Sequence, residues 1–195
     1  MDLNKLTELF LKFPGIGPRQ AKRFVYFLAG ESDGYVNSLA KLIEEIKKEL
    51  RQCASCLRFY ESKNETSSIC KICSDLNRDG SIIMIVEKDV DLENIERMGI
   101  FNGKYFVIGG AISLTGENKE IKLKELFEKA KKEKPKEIIL ATSATIEGEN
   151  TNNYIERILE PLKIKITRLG RGLSTGSELE YTDSETIRSA LKNRK

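Results

Sequence analysis

Cys53-Ala-Ser-Cys56 and Cys70-Lys-Ile-Cys73 are the residues of this sequence best suited to a defined chemistry. They are its four cysteines, set as two C-x2-C knuckles with thirteen residues between them. One tight turn presents two thiolates, and two such turns complete a tetrahedral S4 shell, the closed geometry of structural Zn²⁺. Four protein ligands leave no position for water, so such an ion builds structure and performs no reaction. Residues 57–69, between the knuckles, are polar and rich in Ser, Asn and Glu, and can bury little apolar surface. Metal binding would then supply the local folding free energy, about 10 kcal/mol or more for such sites. Two disulfides or four idle thiols are the alternatives, and nothing in the chain points to an oxidising compartment.

A second constellation is Phe13-Pro14-Gly15-Ile16-Gly17-Pro18-Arg19-Gln20-Ala21. Leu3, Leu6, Phe10 and Phe13 recur at helical spacing before it, as do Ala21, Phe24, Val25 and Leu28 after it. Gly15 and Gly17 allow a turn closed to other residues and let the backbone approach another chain. Pro18 suits the first position of the second helix, whose free N–H groups make a ready phosphate site. Arg19 and Arg23 lie four apart beside it. The pattern resembles the helix-hairpin-helix of sequence-independent DNA-binding proteins; a plain αα-hairpin is the alternative. Contacts of this kind fix phosphates and read no bases.

The third candidate group is acidic. Ile82 to Val86, Tyr105 to Gly110, Glu137 to Thr142 and Lys165 to Leu169 read as strands, separated by helical stretches around 92–98, 123–130 and 154–162. Alternation of this kind predicts βαβ units and a mostly parallel sheet, with sites beyond the carboxyl ends of the strands. There stand Glu87, Gly109-Gly110, and Thr142 through Glu147-Gly148-Glu149. Nucleotidyl-transfer domains of the Toprim kind resemble this layout, with a glutamate after the first strand and an Asp-x-Asp pair after the third to hold Mg²⁺. Glu87 matches the glutamate, but Thr142-Ser143-Ala144 stands where the pair would be. That predicts a fold without the catalysis. Tyr154 and Tyr181 remain open as nucleophiles on the residues alone.

Totals bound the rest. A chain of 195 residues, 39% hydrophobic and 32% charged, fits one large or two to three small domains of a soluble protein. A net charge of +3 is too slight to argue for nucleic acid by itself. The absence of histidine removes His-based acid–base chemistry and Ser-His-Asp triads. No apolar run approaches membrane-spanning length, and Met1-Asp2-Leu3-Asn4-Lys5 lacks a signal-peptide pattern, so a cytoplasmic location is expected. A further amphipathic helix is expected over 35–51, and a short basic one over 183–194 capped by Asp183 or Ser184. The reading is α+β and multi-domain: a helix-hairpin-helix domain (1–52), a C4 zinc module (53–76), an α/β Toprim-like domain (80–172) and a C-terminal segment with a helical tail (173–195).

The order of these pieces, closing with Thr167-Arg168-Leu169-Gly170-Arg171-Gly172-Leu173 and Leu179-Glu180-Tyr181-Thr182-Asp183, resembles the RecR family of bacterial recombination mediators across essentially the whole chain. The resemblance implies a non-enzymatic repair protein that forms a dimer, tetramer or ring on single- or double-stranded DNA. It implies action with RecO and RecF to load RecA onto strands coated with single-strand-binding protein. It carries DNA contacts to Arg19 and Arg23 beside Gly15 and Gly17, oligomerisation to 173–195, and a RecO-facing acidic surface to Glu87, Glu147 and Glu149. Leu114 to Glu120 departs from the family in being more polar than its Pro- and Gly-bearing loop. Other readings are a Mg²⁺-dependent nuclease or primase, which would cleave or extend DNA, and a zinc-stabilised adaptor, which would not bind DNA at low salt.

Overall fold

The computed structural model describes residues 3–62, 67–113 and 121–194; the departing segment Leu114 to Glu120 lies outside them. The chain divides into two compact units, Met1–Arg51 and Gln52–Lys195.

In the first unit, α1 (Leu3–Leu11) and α2 (Pro18–Gly30) pack through Phe10, whose ring lies edge-on to Phe13 and Phe24 at 5.7 and 5.5 Å, over buried Ala21 and Val25. The turn between them needs only one of its two glycines for conformation. Gly15 has φ +76°, whereas Gly17 sits at φ −90°, ψ 172° as the N-cap of α2. Helix α3 (Asp33–Glu49) is capped by Ser32, whose hydroxyl accepts from Tyr35 N, and ends on Lys47 and Lys48, where positive charge suits the helix dipole. Its stripe of Leu42, Ile43 and Ile46 is exposed in the single chain. The short strand β1 (Leu50–Gln52) lies at the unit boundary.

The second unit opens with β2 (Phe59–Glu61) and the one-turn helix α4 (Lys71–Ser74). Its sheet contains β3 (Asp79–Val86), β4 (Gly103–Val107), β5 (Glu137–Ala141) and β6 (Lys165–Arg168), in the order β4-β3-β5-β6, all parallel. Between strands run α5 (Asp89–Met98), α6 (Leu123–Glu133) and α7 (Ile146–Leu159). The apolar run of β3 splits by alternation. Ile83 and Ile85, with Phe106, Ile138 and Leu140, pack under α6 and α7 through Leu126, Ala130, Ile155 and Leu159. Met84 and Val86, with Tyr105 and Val107, face Leu92 of α5 together with Cys53, Cys56, Cys70 and Ile72. After β6 come a 3-10 turn at Leu179–Tyr181 and α8 (Ser184–Lys192), capped by Asp183, whose carboxylate accepts from Glu185 N and Thr186 N. Among the described residues no helix is long and apolar enough to cross a membrane.

Helix α7 begins at Ile146, eight residues before the apolar pattern announces it. Its inner face there is polar: Thr151 and Asn152 are buried and satisfied by hydrogen bonds. Thr151 Oγ1 donates to Glu147 O and accepts from Ile112 N, and Asn152 Oδ1 accepts from Thr142 Oγ1. Glu147 and Glu149 therefore stand in a helix's first turn instead of a loop.

The cysteine-bearing module is bound along the sheet's edge strand. Val107 N, at the end of β4, donates to Cys56 O at 2.9 Å. Lys104 Nζ, also from β4, donates to the carbonyls of Ile72, Cys73 and Asp75 at 3.0, 3.1 and 2.6 Å, closing the C-terminal end of α4. Asp89 of α5 accepts from Phe59 N at 2.8 Å, and Lys129 of α6 reaches Ser55 Oγ at 2.8 Å. Replacing Lys104 with Met keeps the stem and deletes all three charge-assisted bonds. It should lower stability by about 2–3 kcal/mol, read from urea unfolding, since carbonyls partnered by a cation are left unpaired.

Candidate functional site

The first knuckle is a turn in which Leu57 N donates to Cys53 O and Cys53 N to Arg58 O, with Leu57 itself at φ +61°. The second knuckle is α4, with Cys70 as its N-cap. They meet where Cys70 N donates to Cys53 Sγ at 3.3 Å, and Cys56 and Cys70 Sγ lie 3.6 Å apart. All four sulfurs fall within 4.8 Å of one another. A tetrahedral ion with metal–sulfur bonds near 2.3 Å sets neighbouring sulfurs about 3.8 Å apart, so the shell fits a metal. A disulfide needs about 2.05 Å, and the four thiols are unpaired. Hydrogen bonds from Cys56, then Cys70 and Cys73, pull the Cys53 thiol down, while hydrogen bonding to Cys53 and burial push Cys56 up. Thiols so close share protons; a cation would let all four ionise.

At the strand ends, Glu87 follows β3 and is only 5% exposed. Its Oε1 accepts from Ser143 N at 2.7 Å and its Oε2 from Ser143 Oγ at 3.2 Å. Ser143 belongs to the turn from β5 into α7, where Thr145 caps the helix by accepting from Gly148 N. Glu149 accepts from Arg168 Nη1 at 2.8 Å and is paired with Arg171 as well. Arg168 also grips Glu156 at 2.7 Å and Asn153 at 2.8 Å. Glu147 is exposed and joins none of these pairs. The three glutamates expected on one acidic surface thus occupy three different environments. Among the described residues only the cysteines bring three or more metal-ligating side chains together. Tyr154 and Tyr181 are exposed, and the hydrogen bond to Glu180 pushes Tyr181 upward, away from phenolate character.

At the hairpin, Pro18 is the first residue of α2 and Gly17 caps it with no side chain. Ala21 N already donates to Gly17 O, which leaves the N–H groups of Arg19 and Gln20 at the open end. A Cβ at Gly17 would meet nothing within 4 Å, so the approach to that end is bare. Arg19 and Arg23 are both exposed, and among the described residues Arg23 makes a long 3.5 Å contact to Gln20. Sequence reasoning missed Lys104, Asp89 and Lys129 as supports of the thiol centre, and Ser143, Arg168 and Arg171 as partners of the glutamates. Each acts across the fold, where no local spacing marks it.

A parallel α/β sheet with a glutamate at the end of its first strand and a four-thiol module along its edge has the layout of a Toprim-containing protein. Comparison with known proteins agrees: the Toprim domain family matches residues 81–170, and the family described as RecR, C-terminal, matches residues 172–195. The recombination protein RecR of Dehalococcoides mccartyi is 39% identical over 98% of this chain and 93% of its own length. Those of Staphylococcus haemolyticus and Staphylococcus aureus are 39% and 38% identical, each over 98% of this chain and 96% of their own. The chain belongs to the RecR family of recombination proteins, which places it in recombinational repair.

Protein purified under reducing conditions should bind one thiolate-ligated ion per chain, counted by metal analysis. Cys70→Ser should lose it and more than about 3 kcal/mol of stability, because ligand binding and folding are here one free energy.

Proposed function

We propose that this protein is a non-catalytic DNA-binding recombination mediator, held together by structural Zn²⁺. The observation that carries the reading is the open N-terminus of α2 with Arg19 and Arg23 exposed beside it. The N–H groups of Arg19 and Gln20 would hold one phosphate oxygen pair, and the two guanidiniums the neighbouring phosphates. These groups meet the backbone of either single- or double-stranded DNA and ignore base identity. Zn²⁺ suits four buried thiolates and supplies structure alone there.

A mediator role without turnover is supported at the strand ends. Thr142-Ser143-Ala144 occupies the place of an acidic pair, and both oxygens of Glu87 are taken by Ser143. In this reading residues 1–52 bind DNA, 53–76 hold zinc, 80–172 form the Toprim domain and 173–195 join protomers into a dimer or tetramer. Exposed Leu173, Leu179, Tyr181 and Leu191 give that last segment an apolar surface to cover. The acidic strand-end face, with Glu147 outermost, meets RecO, and RecF serves another branch. Together they promote RecA loading onto coated single strands in the cytoplasm.

One hairpin neutralises few phosphates, so a lone protomer binds weakly. Several hairpins around one DNA add contacts, each steepening log K against log salt by about −0.9, and raise effective concentration. The double variant Arg19→Ala, Arg23→Ala should therefore lose at least about tenfold in DNA affinity and flatten the salt dependence, with zinc content and Tm unchanged. Unaltered binding across several salt concentrations would refute the hairpin as the DNA site. Mg²⁺- or Mn²⁺-dependent cleavage of labelled DNA, lost in Glu87→Ala, would restore the nuclease reading.

A further inference from the structure

Helix α2 carries Arg19, Lys22 and Arg23 and no acidic residue. Arg19, Arg23 and Phe27 follow one another at steps of four, so they form one row along its surface, about 12 Å from first to last. Tyr26, three residues after Arg23, stands beside the end of that row. Gln20, Arg23, Phe24, Tyr26 and Phe27 line a surface hollow of about 640 Å³. Its aromatic residues are not equivalent. Phe24 is held inward, edge-on to Phe10. Tyr26 and Phe27 are 69% and 53% exposed. The Phe27 ring stands against Tyr35 of α3 at 6.1 Å and 88°, which fixes its direction and leaves much of it uncovered.

We propose that Tyr26 and Phe27 are a stacking platform for the bases of single-stranded DNA, placed one turn beyond the phosphate contact of Arg23. The inference rests on the hairpin reading above and adds to it a preference for single strands. In a duplex the bases are stacked and paired, so a duplex gripped by its phosphates brings nothing to the hollow. A single strand offers unstacked bases, and every base has a π-face that an aromatic ring accepts. Arg23 lines the hollow beside the rings, so a phosphate contact and a stacked base come from the same short stretch of strand. Charge decides against a second copy of this chain as the occupant. Twofold packing on this face would set Arg19, Lys22 and Arg23 against the same three cations of the other copy, whereas a nucleic acid neutralises them.

The test titrates the full-length protein with labelled oligo-dT, with an abasic strand of the same length and with a duplex, all at low salt. Oligo-dT should bind about tenfold tighter than the abasic strand, the gain expected from stacking one base. Phe27→Leu, which keeps an apolar side chain against Tyr35, should remove that difference and leave abasic and duplex affinities within about twofold of the parent. Phe27→Tyr should keep the difference. In the parent, strands carrying 5-iodouracil should photocrosslink to Tyr26 or Phe27, located by peptide mass spectrometry. Equal affinity of the parent for oligo-dT and the abasic strand overturns the proposal, as do crosslinks confined to other residues. Phe27→Leu overturns it if it weakens all three probes alike, or if it changes the mass of the protein in solution, because a second copy would then cover the rings. Arg19→Ala with Arg23→Ala separates the two readings. If that variant binds all three probes like the parent, the hairpin reading itself fails; if it weakens all three while the parent does not favour oligo-dT, the platform alone fails.

Discussion

Cys53, Cys56 and Cys70 are buried against the same sheet face as Met84, Val86, Leu92, Tyr105 and Val107. Thiols in that position cannot be left as loosely held donors. They share a core with the central strand, and Cys56 O accepts a hydrogen bond from Val107 N at the end of the edge strand β4. An edge strand left open invites pairing with other chains, and here the module engages it at Val107 N and through the Lys104 side chain. Lys104 supports the arrangement from below by holding three carbonyls at the end of α4, work a longer helix would do with its own N–H groups. The four-stranded sheet and the thiol centre are therefore one cooperative structure, although their sequences look like separate modules.

What could be read from the sequence was what depends on local spacing. The cysteine knuckles were legible because two ligands per turn is a local property, and the central strand because the apolar run Ile82 to Val86 is one. The hairpin was legible as well, though only Gly15 has the positive φ the turn requires, and Gly17 serves by leaving the helix end bare. The early start of α7 was not legible, since its buried face carries Thr151 and Asn152, polar residues whose partners lie on other elements. The environment of Glu87 was hidden for a similar reason: its hydrogen-bond partner stands 56 residues away. A glutamate after a strand reads as a surface acid or a metal ligand until the residue facing it is known.

The strand ends and the hairpin put charge to different uses. Among the described residues neither Arg19 nor Arg23 is paired with a carboxylate, and both are exposed. Arg168 is committed instead, bound by Glu149, Glu156 and Asn153, with hydrogen bonding to Glu156 chief among the causes that hold its guanidinium more firmly protonated. The same residue type thus serves as an internal tie in one place and an open contact in another. What decides is whether an acidic side chain lies within reach.

Native-state hydrogen exchange of protein loaded with Zn²⁺ and of protein treated with a chelator, both under reducing conditions, tests the shared core most directly. The account predicts that amides of β3 and β4, Val107 foremost, lose protection together with residues 53–73, in one cooperative step. Protection of β3 and β4 that survives removal of the ion, while the knuckles alone open, would contradict it.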